Sequence, residues 1–334
     1  LYFPMIQITV SRLLVGFILV LFVMACGNVM SDTAQSEVHS TKVQAVWETE
    51  LYILGTMQDG GLPHIGCQKS CCAQAFKEPN LRRSVVSLGL FDGLSKKRYL
   101  FEATPDMPEQ LAHYNSYLNQ PFEGLIDGVF LTHAHMGHYT GLMYFGKEAK
   151  DSKNIKVYAM DRMSSYLKNN GPWSQLVARK NIELVPMEAD RTQVLSDQLS
   201  VTPLLVPHRD EFSETVGWLI KGPNKTALFV PDIDKWPLWE RSLVDLLQEV
   251  DYAFLDATFF SGAELDNRPM DQVPHPSISE TMELLSALPK SERQKVHFIH
   301  YNHTNPVLDG NSHAAQKVLE AGFHLTQLHQ RFPL

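Results

Sequence analysis

The sequence predicts a layered α/β domain that begins near Val43, and three observations predict it. Short apolar runs of strand length alternate with helix-period segments as far as the C-terminus. Five of these runs stop, at their C-terminal ends, on His133, His208, Asp232, Asp256 and His300. Layered α/β folds gather their ligand sites at strand ends of this kind. Hydrophobic residues make up 44% of the 334-residue chain, enough for a sizeable buried core.

The first strand is expected at residues 50–55, followed by the turn-rich loop Thr56-Met57-Gln58-Asp59-Gly60-Gly61-Leu62-Pro63. Next come Gly66-Cys67-Gln68-Lys69-Ser70-Cys71-Cys72 and Arg82-Arg83-Ser84, leading to strands at 85–88 and 99–101. A helix with proline in its first turn is expected over 108–117. The apolar run 128–131 is a buried strand, and a helix follows over 139–146. Residues 155–159 form a strand, and Asp161 caps a helix that stops at Asn169-Asn170-Gly171-Pro172. Strands follow at 182–185 and 201–206, then a hairpin pairs 215–220 with 226–230 across Lys221-Gly222-Pro223-Asn224-Lys225. An amphipathic helix at 238–248 precedes a strand at 252–255. Ser277, with Glu280 three residues on, opens a further helix as a capping box. A strand at 295–299, a helix at 314–321 ended by Gly322, and a last strand at 323–328 complete the domain. No Gly-rich phosphate loop interrupts the alternation, so a nucleotide cradle is not supported.

Arg12 precedes an apolar run, 13–23, that is short for a bilayer span and suits a secretory signal. The run ends Val23-Met24-Ala25-Cys26, which resembles a bacterial lipoprotein signal. That resemblance implies a signal peptide at 1–25, an acylated Cys26 as the mature N-terminus, and a flexible polar tether over 26–42. Met5 reads as the start, with Leu1 to Pro4 upstream of it. Gly27 follows Cys26, where aspartate would resemble an inner-membrane retention signal. The expected location is therefore the periplasmic side of the outer membrane, held by a lipid anchor. A plain cleaved signal and an uncleaved anchor are the alternatives. Residues 43–334 would form the folded domain. The formal charge of −8 argues against a general nucleic-acid binder.

With Cys26 set aside, Cys67, Cys71 and Cys72 remain, an odd number that cannot all pair within the chain. Three thiolates need one more partner to complete a four-coordinate zinc. A buried cysteine pair or a vicinal Cys71–Cys72 disulfide is the alternative. The chain's chemistry centres on Leu131-Thr132-His133-Ala134-His135-Met136-Gly137-His138-Tyr139-Thr140-Gly141. His133 and His135 on an extended turn point the same way, and His138 can close on the same point. Neutral imidazole is the commonest metal ligand, so the cluster reads as a metal site, with a solvated His-rich turn as the alternative.

This stretch resembles the HxHxDH signature of the metallo-β-lactamase superfamily, with Gly137 in the aspartate position. The resemblance runs from about Leu51 to Leu328 and implies a four-layer αβ/βα sandwich. It implies one metal ion on His133, His135 and His208, and a second on His138, Asp232 and His300, with Asp232 shared. One or two zinc ions are expected there, and imidazole with carboxylate also suits iron or manganese. His275 resembles the histidine that follows Asp256-Ala257-Thr258-Phe259 in the tRNase Z branch, which implies a proton donor to the leaving group. A histidine that merely precedes a helix is the alternative.

The segments Gly55-Thr56, Gly66 to Cys72 and Arg82-Arg83-Ser84 are similar to two related groups, the coenzyme PQQ synthesis protein B group and the phosphoribosyl cyclic phosphodiesterase of phosphonate breakdown. The latter holds a structural zinc on three cysteines and a histidine three residues after the last active-site histidine. That implies Cys67, Cys71, Cys72 and His303 here, although the middle cysteine stands at Cys71 rather than two residues after Cys67. The segments around His133, His208 and His300 look most like the PQQ protein B group.

Together these resemblances imply a lipid-anchored, metal-dependent hydrolase of a small phosphodiester or other ester. The rival is a PQQ synthesis protein B-like protein with a metal-dependent oxidative or accessory role and no hydrolysis. Export disfavours a cytosolic biosynthetic step. Gly137 disfavours an ordinary two-metal hydrolase, because it leaves the second ion three protein ligands and a space for water, substrate or Tyr139. A β-lactamase proper is disfavoured by the cysteine segment and by Asn302-His303-Thr304-Asn305-Pro306.

Overall fold

The computed structural model describes residues 47–122, 124–265 and 269–334. The expected signal peptide at 1–25, Cys26 and the tether at 26–42 lie outside the described residues. Among the described residues, no helix is long and apolar enough to cross a membrane.

Two seven-stranded sheets form the centre of the fold. The first holds β1 (Glu50–Gly55), β2 (Ser87–Asp92), β3 (Lys97–Phe101), β4 (Gly128–Phe130), β5 (Ile155–Met160) and β6 (Ile182–Met187). The second holds β7 (Gln193–Ser196), β8 (Leu199–Leu205), β9 (Val216–Lys221), β10 (Thr226–Val230), β11 (Tyr252–Asp256), β12 (Val296–Ile299) and β13 (His324–Leu325). The final strand, β14 (Arg331–Pro333), crosses back to the first sheet and pairs with β1. Strands β3 to β6 run parallel, as do β10 to β13.

Side-chain alternation sorts each strand between two cores. Leu51 and Ile53 of β1 face the shared interior with Phe101, Phe130, Trp218 and Phe229. Tyr52 and Leu54 face outward, onto Leu111 and Tyr114 of the helix Met107–Leu118. In the second sheet Ala227 and Phe229 of β10 face inward, while Leu228 and Val230 pack against the helix Leu243–Glu249 and its neighbours. Strands covered on both faces read as unbroken apolar runs, which is why the inner strands were legible in the sequence. The result is the expected four-layer αβ/βα sandwich.

Differences at several element ends trace to partners elsewhere in the chain. The strand expected at 85–88 lies at Ser87–Asp92, because Val85 and Val86 are taken by the loop after β1. The helix expected at 139–146 is one α-turn, Met136–Tyr139, continued as a 3-10 segment, Thr140–Phe145. The helix expected from 238 starts at Leu243, where the Ser242 hydroxyl caps the Asp245 N–H. Asp161 is not the cap of its helix; the carboxylate of Glu214 accepts from the Arg162 and Met163 N–H groups instead. The strand expected at 323–328 is two residues long, and the chain then turns at His329 (φ +69°) to form β14. Strand β7 and the helix Trp173–Ala178 were not anticipated.

Candidate metal centre

The residues of the centre lie at or shortly past strand ends on one edge of the sandwich, except His275, which comes from the loop ahead of the helix Ile278–Leu284. Beyond β4, Thr132 Oγ1 lies 2.8 Å from His133 Nδ1, and the His138 carbonyl accepts from the Ala103 N–H at 2.9 Å. His208 follows β8, with its Nδ1 3.1 Å from Asp234 Oδ1. Asp232 follows β10 and Asp256 ends β11. His300 follows β12 in the left-handed region, φ +69°, a conformation that costs a side-chain-bearing residue about 1–2 kcal/mol. The flanking backbone offsets that cost. Tyr301 N–H donates to Thr56 O at 2.8 Å and Asn302 N–H to Thr258 O at 2.9 Å.

Six imidazole nitrogens converge on the Asp232 carboxylate, which is 2% exposed. Oδ2 lies 3.3 Å from His133 Nε2, 3.7 Å from His138 Nε2, 3.9 Å from His300 Nε2 and 4.0 Å from His135 Nδ1. Oδ1 lies 3.2 Å from both His208 Nε2 and His275 Nδ1. Burial opposes ionisation of Asp232, but His208, His275 and His300 outweigh it and hold its pKa well below the usual carboxylate range. A carboxylate offers about four acceptor positions, so it cannot bind six rings as hydrogen-bond donors.

The residues present fit metal ions. Asp59 Oδ1, His135 Nε2, His138 Nε2, His208 Nε2, Asp232 Oδ1 and His300 Nε2 are all buried without a hydrogen-bond partner, a costly state for polar atoms that cations would relieve. Their ligand atoms fall into overlapping sets within 4.8 Å: His133, His135, His208 and Asp232; Asp59, His138 and His300; Asp232, Asp256, His275 and His300. All six expected metal ligands are thus brought together. His275 joins them, with Nδ1 2.8 Å from Asp256 Oδ2. Burial pulls the His275 pKa down, but Asp256 and Asp232 prevail and hold it up at about 10.

The space at Gly137 is where the expectation fails. It is filled by Asp59, from the turn-rich loop after β1, not by Tyr139. A Cβ built on Gly137 would lie 2.2 Å from Asp59 Oδ1 and 2.5 Å from Asp59 Cα. Tyr139 is turned away, with its hydroxyl 2.8 Å from that of Tyr166 and its ring against Trp173. Asp59 Oδ1 lies 3.2 Å from His138 Nε2. The fully buried Glu102 lies on the other side of the same ring, Oε1 3.6 Å from Nδ1. Sequence reasoning passed over both acids. The signal for Asp59 was its place on a loop leaving a strand at the same edge as the histidines.

At the cysteine cluster, Cys67, Cys72 and His303 present ligand atoms within 4.8 Å of one another. Cys71 stands at its margin, with Sγ 3.9 Å from that of Cys72. All three thiols are free. The His64 ring stacks on His303 at 4.3 Å, and the His64 N–H donates to Cys72 Sγ at 3.2 Å.

Fold and centre together define a metallo-β-lactamase type of protein. Residues 97–301 match the Beta-lactamase superfamily domain, and the chain belongs to that superfamily. It is similar to the coenzyme PQQ synthesis protein B of Methylococcus capsulatus, at 23% identity over 302 residues, covering 81% of this chain and 95% of that protein. The protein of the same name from Methylobacterium nodulans is 27% identical over 308 residues, with the same coverages of 81% and 95%. Among solved structures, Zn2+-bound PqqB from Methylobacterium extorquens superposes with a TM-score of 0.69 at 21% identity, covering 85% of this chain and 100% of that one. A diphosphatase from the PhnP family superposes with a TM-score of 0.62 at 20% identity, covering 86% and 98%. At these identities the structural likeness bears on the fold.

Proposed function

We propose that this protein is a metal-dependent hydrolase of a small phosphodiester or related anionic ester, held at a membrane surface by lipid on Cys26. The observation that carries the reading is the convergence of six imidazole nitrogens on one buried carboxylate. His133, His135 and His208 would hold one ion, His138 and His300 a second, and Asp232 both. Divalent ions there would polarise the scissile ester and supply a nucleophile near neutral pH. His275 would protonate the leaving group from Nε2, because Asp256 engages Nδ1 and fixes the ring.

The surroundings offer cationic contacts on one side. A cleft of about 470 Å3 runs from Asp59 to Arg82 and Arg83 and also carries Asp106, whose Oδ2 accepts from the Val85 N–H, and Glu109. The side-chain hydrogen bonds these arginines make run to the backbone carbonyls of Ala75, Asn80 and Arg82. Neither pairs with a carboxylate among the described residues, so both can meet an anion. On the opposite side, a cleft of about 670 Å3 beside His208 carries Asp190, Asp210, Glu214 and Glu240, with Arg241 paired to Asp190. Asp210 is paired with Arg162, which leaves Glu214 and Glu240 as the cleft's carboxylates without a salt bridge among the described residues. A neighbour named as a diphosphatase of the PhnP family supports phosphoryl chemistry as the reading.

The relatives named coenzyme PQQ synthesis protein B favour a second reading, an oxidative or accessory metal protein. Turnover of bis(p-nitrophenyl) phosphate, a dialkyl phosphodiester and an organic diphosphate by zinc- or manganese-loaded protein separates the two. Hydrolysis that disappears with His133→Ala supports the first. A fully loaded protein that cleaves none of them sinks it, and the second takes its place. For the anchor, wild type should sediment with membranes and Cys26→Ala should not; a wild type found wholly soluble would refute it.

A further inference from the structure

We propose that Asp59 is a metal ligand at this centre, taking the coordination position that Gly137 leaves without a carboxylate. This rests on the two-metal reading above and adds to it the missing ligand. The exchange is steric as well as chemical. Asp59 occupies the volume that any side chain at 137 would need, with its backbone Cα 2.5 Å and its Oδ1 2.2 Å from the position of a Cβ there. Because the Asp59 Cα, a backbone atom, is itself among the obstacles, a change of Asp59 rotamer alone would not let both side chains stand. One position can carry a side chain only if the other withdraws.

The carboxylate is also aimed and held. Asp59, His138 and His300 bring ligand atoms within 4.8 Å of one another, and Oδ1 is buried with no hydrogen-bond partner. The turn that carries it is pinned on both sides. Gln58 N–H donates to Tyr301 O at 2.9 Å, next to His300, and Gly61 N–H donates to Gln58 O at 2.9 Å. Gly61 at φ +63° lets the turn close. Leu62 and Arg83 then exchange backbone hydrogen bonds at 3.0 and 2.9 Å. With Asp59 the second ion would have His138, His300, Asp59 and Asp232, a four-ligand set, and Asp232 would remain the one carboxylate common to both ions. A substitution in the signature is thereby answered 78 positions earlier in the chain.

The test is metal content and affinity, read by elemental analysis of zinc-loaded protein, by chelator competition and by the visible spectrum of the cobalt form. Wild type should hold two ions at the histidines and one at the cysteines. Asp59→Asn keeps the shape and removes the charge. It should weaken one histidine-bound ion by at least about a hundredfold, since even the hydrogen-bond partners of ligands are worth about 10–100-fold. The other two ions should stay at wild-type affinity. Gly137→Ala, which pushes on Asp59, should weaken the same ion, and the double variant should lose little more than either single one. Asp59→Asn binding both histidine ions as tightly as wild type would overturn the proposal. So would a wild type with a single histidine-bound ion that Asp59→Asn leaves unchanged, a result that keeps the first site. A wild type binding zinc only at its cysteines would overturn both this proposal and the two-metal reading beneath it.

Discussion

Asp232 sets the chemistry at the scale of single residues. Its six nitrogen neighbours exceed what one carboxylate accepts, so the cluster makes sense as a ligand set and not as a hydrogen-bond network. His275 meets Asp232 through the same Nδ1 that Asp256 engages, a geometry that leaves Nε2 for proton transfer. His275→Gln should therefore slow hydrolysis of a dialkyl phosphodiester about 10²–10⁴-fold and that of a p-nitrophenyl ester far less, with metal content unchanged. Nitrophenolate leaves without a proton; an alkoxide does not. Equal losses on both substrates would contradict the assignment. His133, His135, His138, His208, His300 and Asp232 were legible because each follows an apolar strand, and His275 through its resemblance to the tRNase Z branch. Asp59 was not, because Met57-Gln58-Asp59-Gly60-Gly61 reads as an ordinary turn and its partner His138 is remote in sequence.

At the scale of elements, the buried inner strands and the capping box at Ser277 and Glu280 were readable from local pattern. What escaped depended on distant partners. Strand β14 exists because β1 offers it an edge, and the helix Asp161–Asn169 is capped by Glu214 from another loop. β12 carries a consequence of the same kind. His297 lies against His324 at 4.8 Å and Phe332 at 4.8 Å, and burial, with His324 adding to it, pushes its pKa down to about 3. The unfolded chain takes up this proton near pH 6.5, and the folded one does not. Stability from this group is thus complete above about pH 6.5 and is lost as pH falls towards about 3. Between pH 6.5 and 5 the loss is about 2 kcal/mol. His297→Phe should remove that part of the acid sensitivity, as read by urea denaturation at pH 7, 6 and 5. Parallel curves for the two proteins would contradict it.

At the scale of the whole molecule, neither sheet owns the centre. The first contributes Asp59, Glu102, His133, His135 and His138; the second contributes His208, Asp232, Asp256, His275 and His300. The loops are already stitched together across the edge, with Ala134 N–H donating to Ser213 Oγ at 2.8 Å and Val216 N–H to Thr132 O at 3.2 Å. Bound ions would tie the two halves further. The cysteine cluster uses two of the same segments, since the loop bearing Asp59 continues to Cys67 and Cys72, and His303 follows His300. The superfamily was legible at this scale from motif order alone, whereas the approach of Asp59 to His138 became visible only once the loop after β1 and the loop after β4 were placed side by side. The most direct test is anomalous diffraction from crystals of the zinc-loaded protein, measured on both sides of the zinc edge. Two peaks should flank the Asp232 carboxylate, with a third among Cys67, Cys72 and His303. A map with a peak at the cysteines and none within bonding distance of Asp232 would contradict the account.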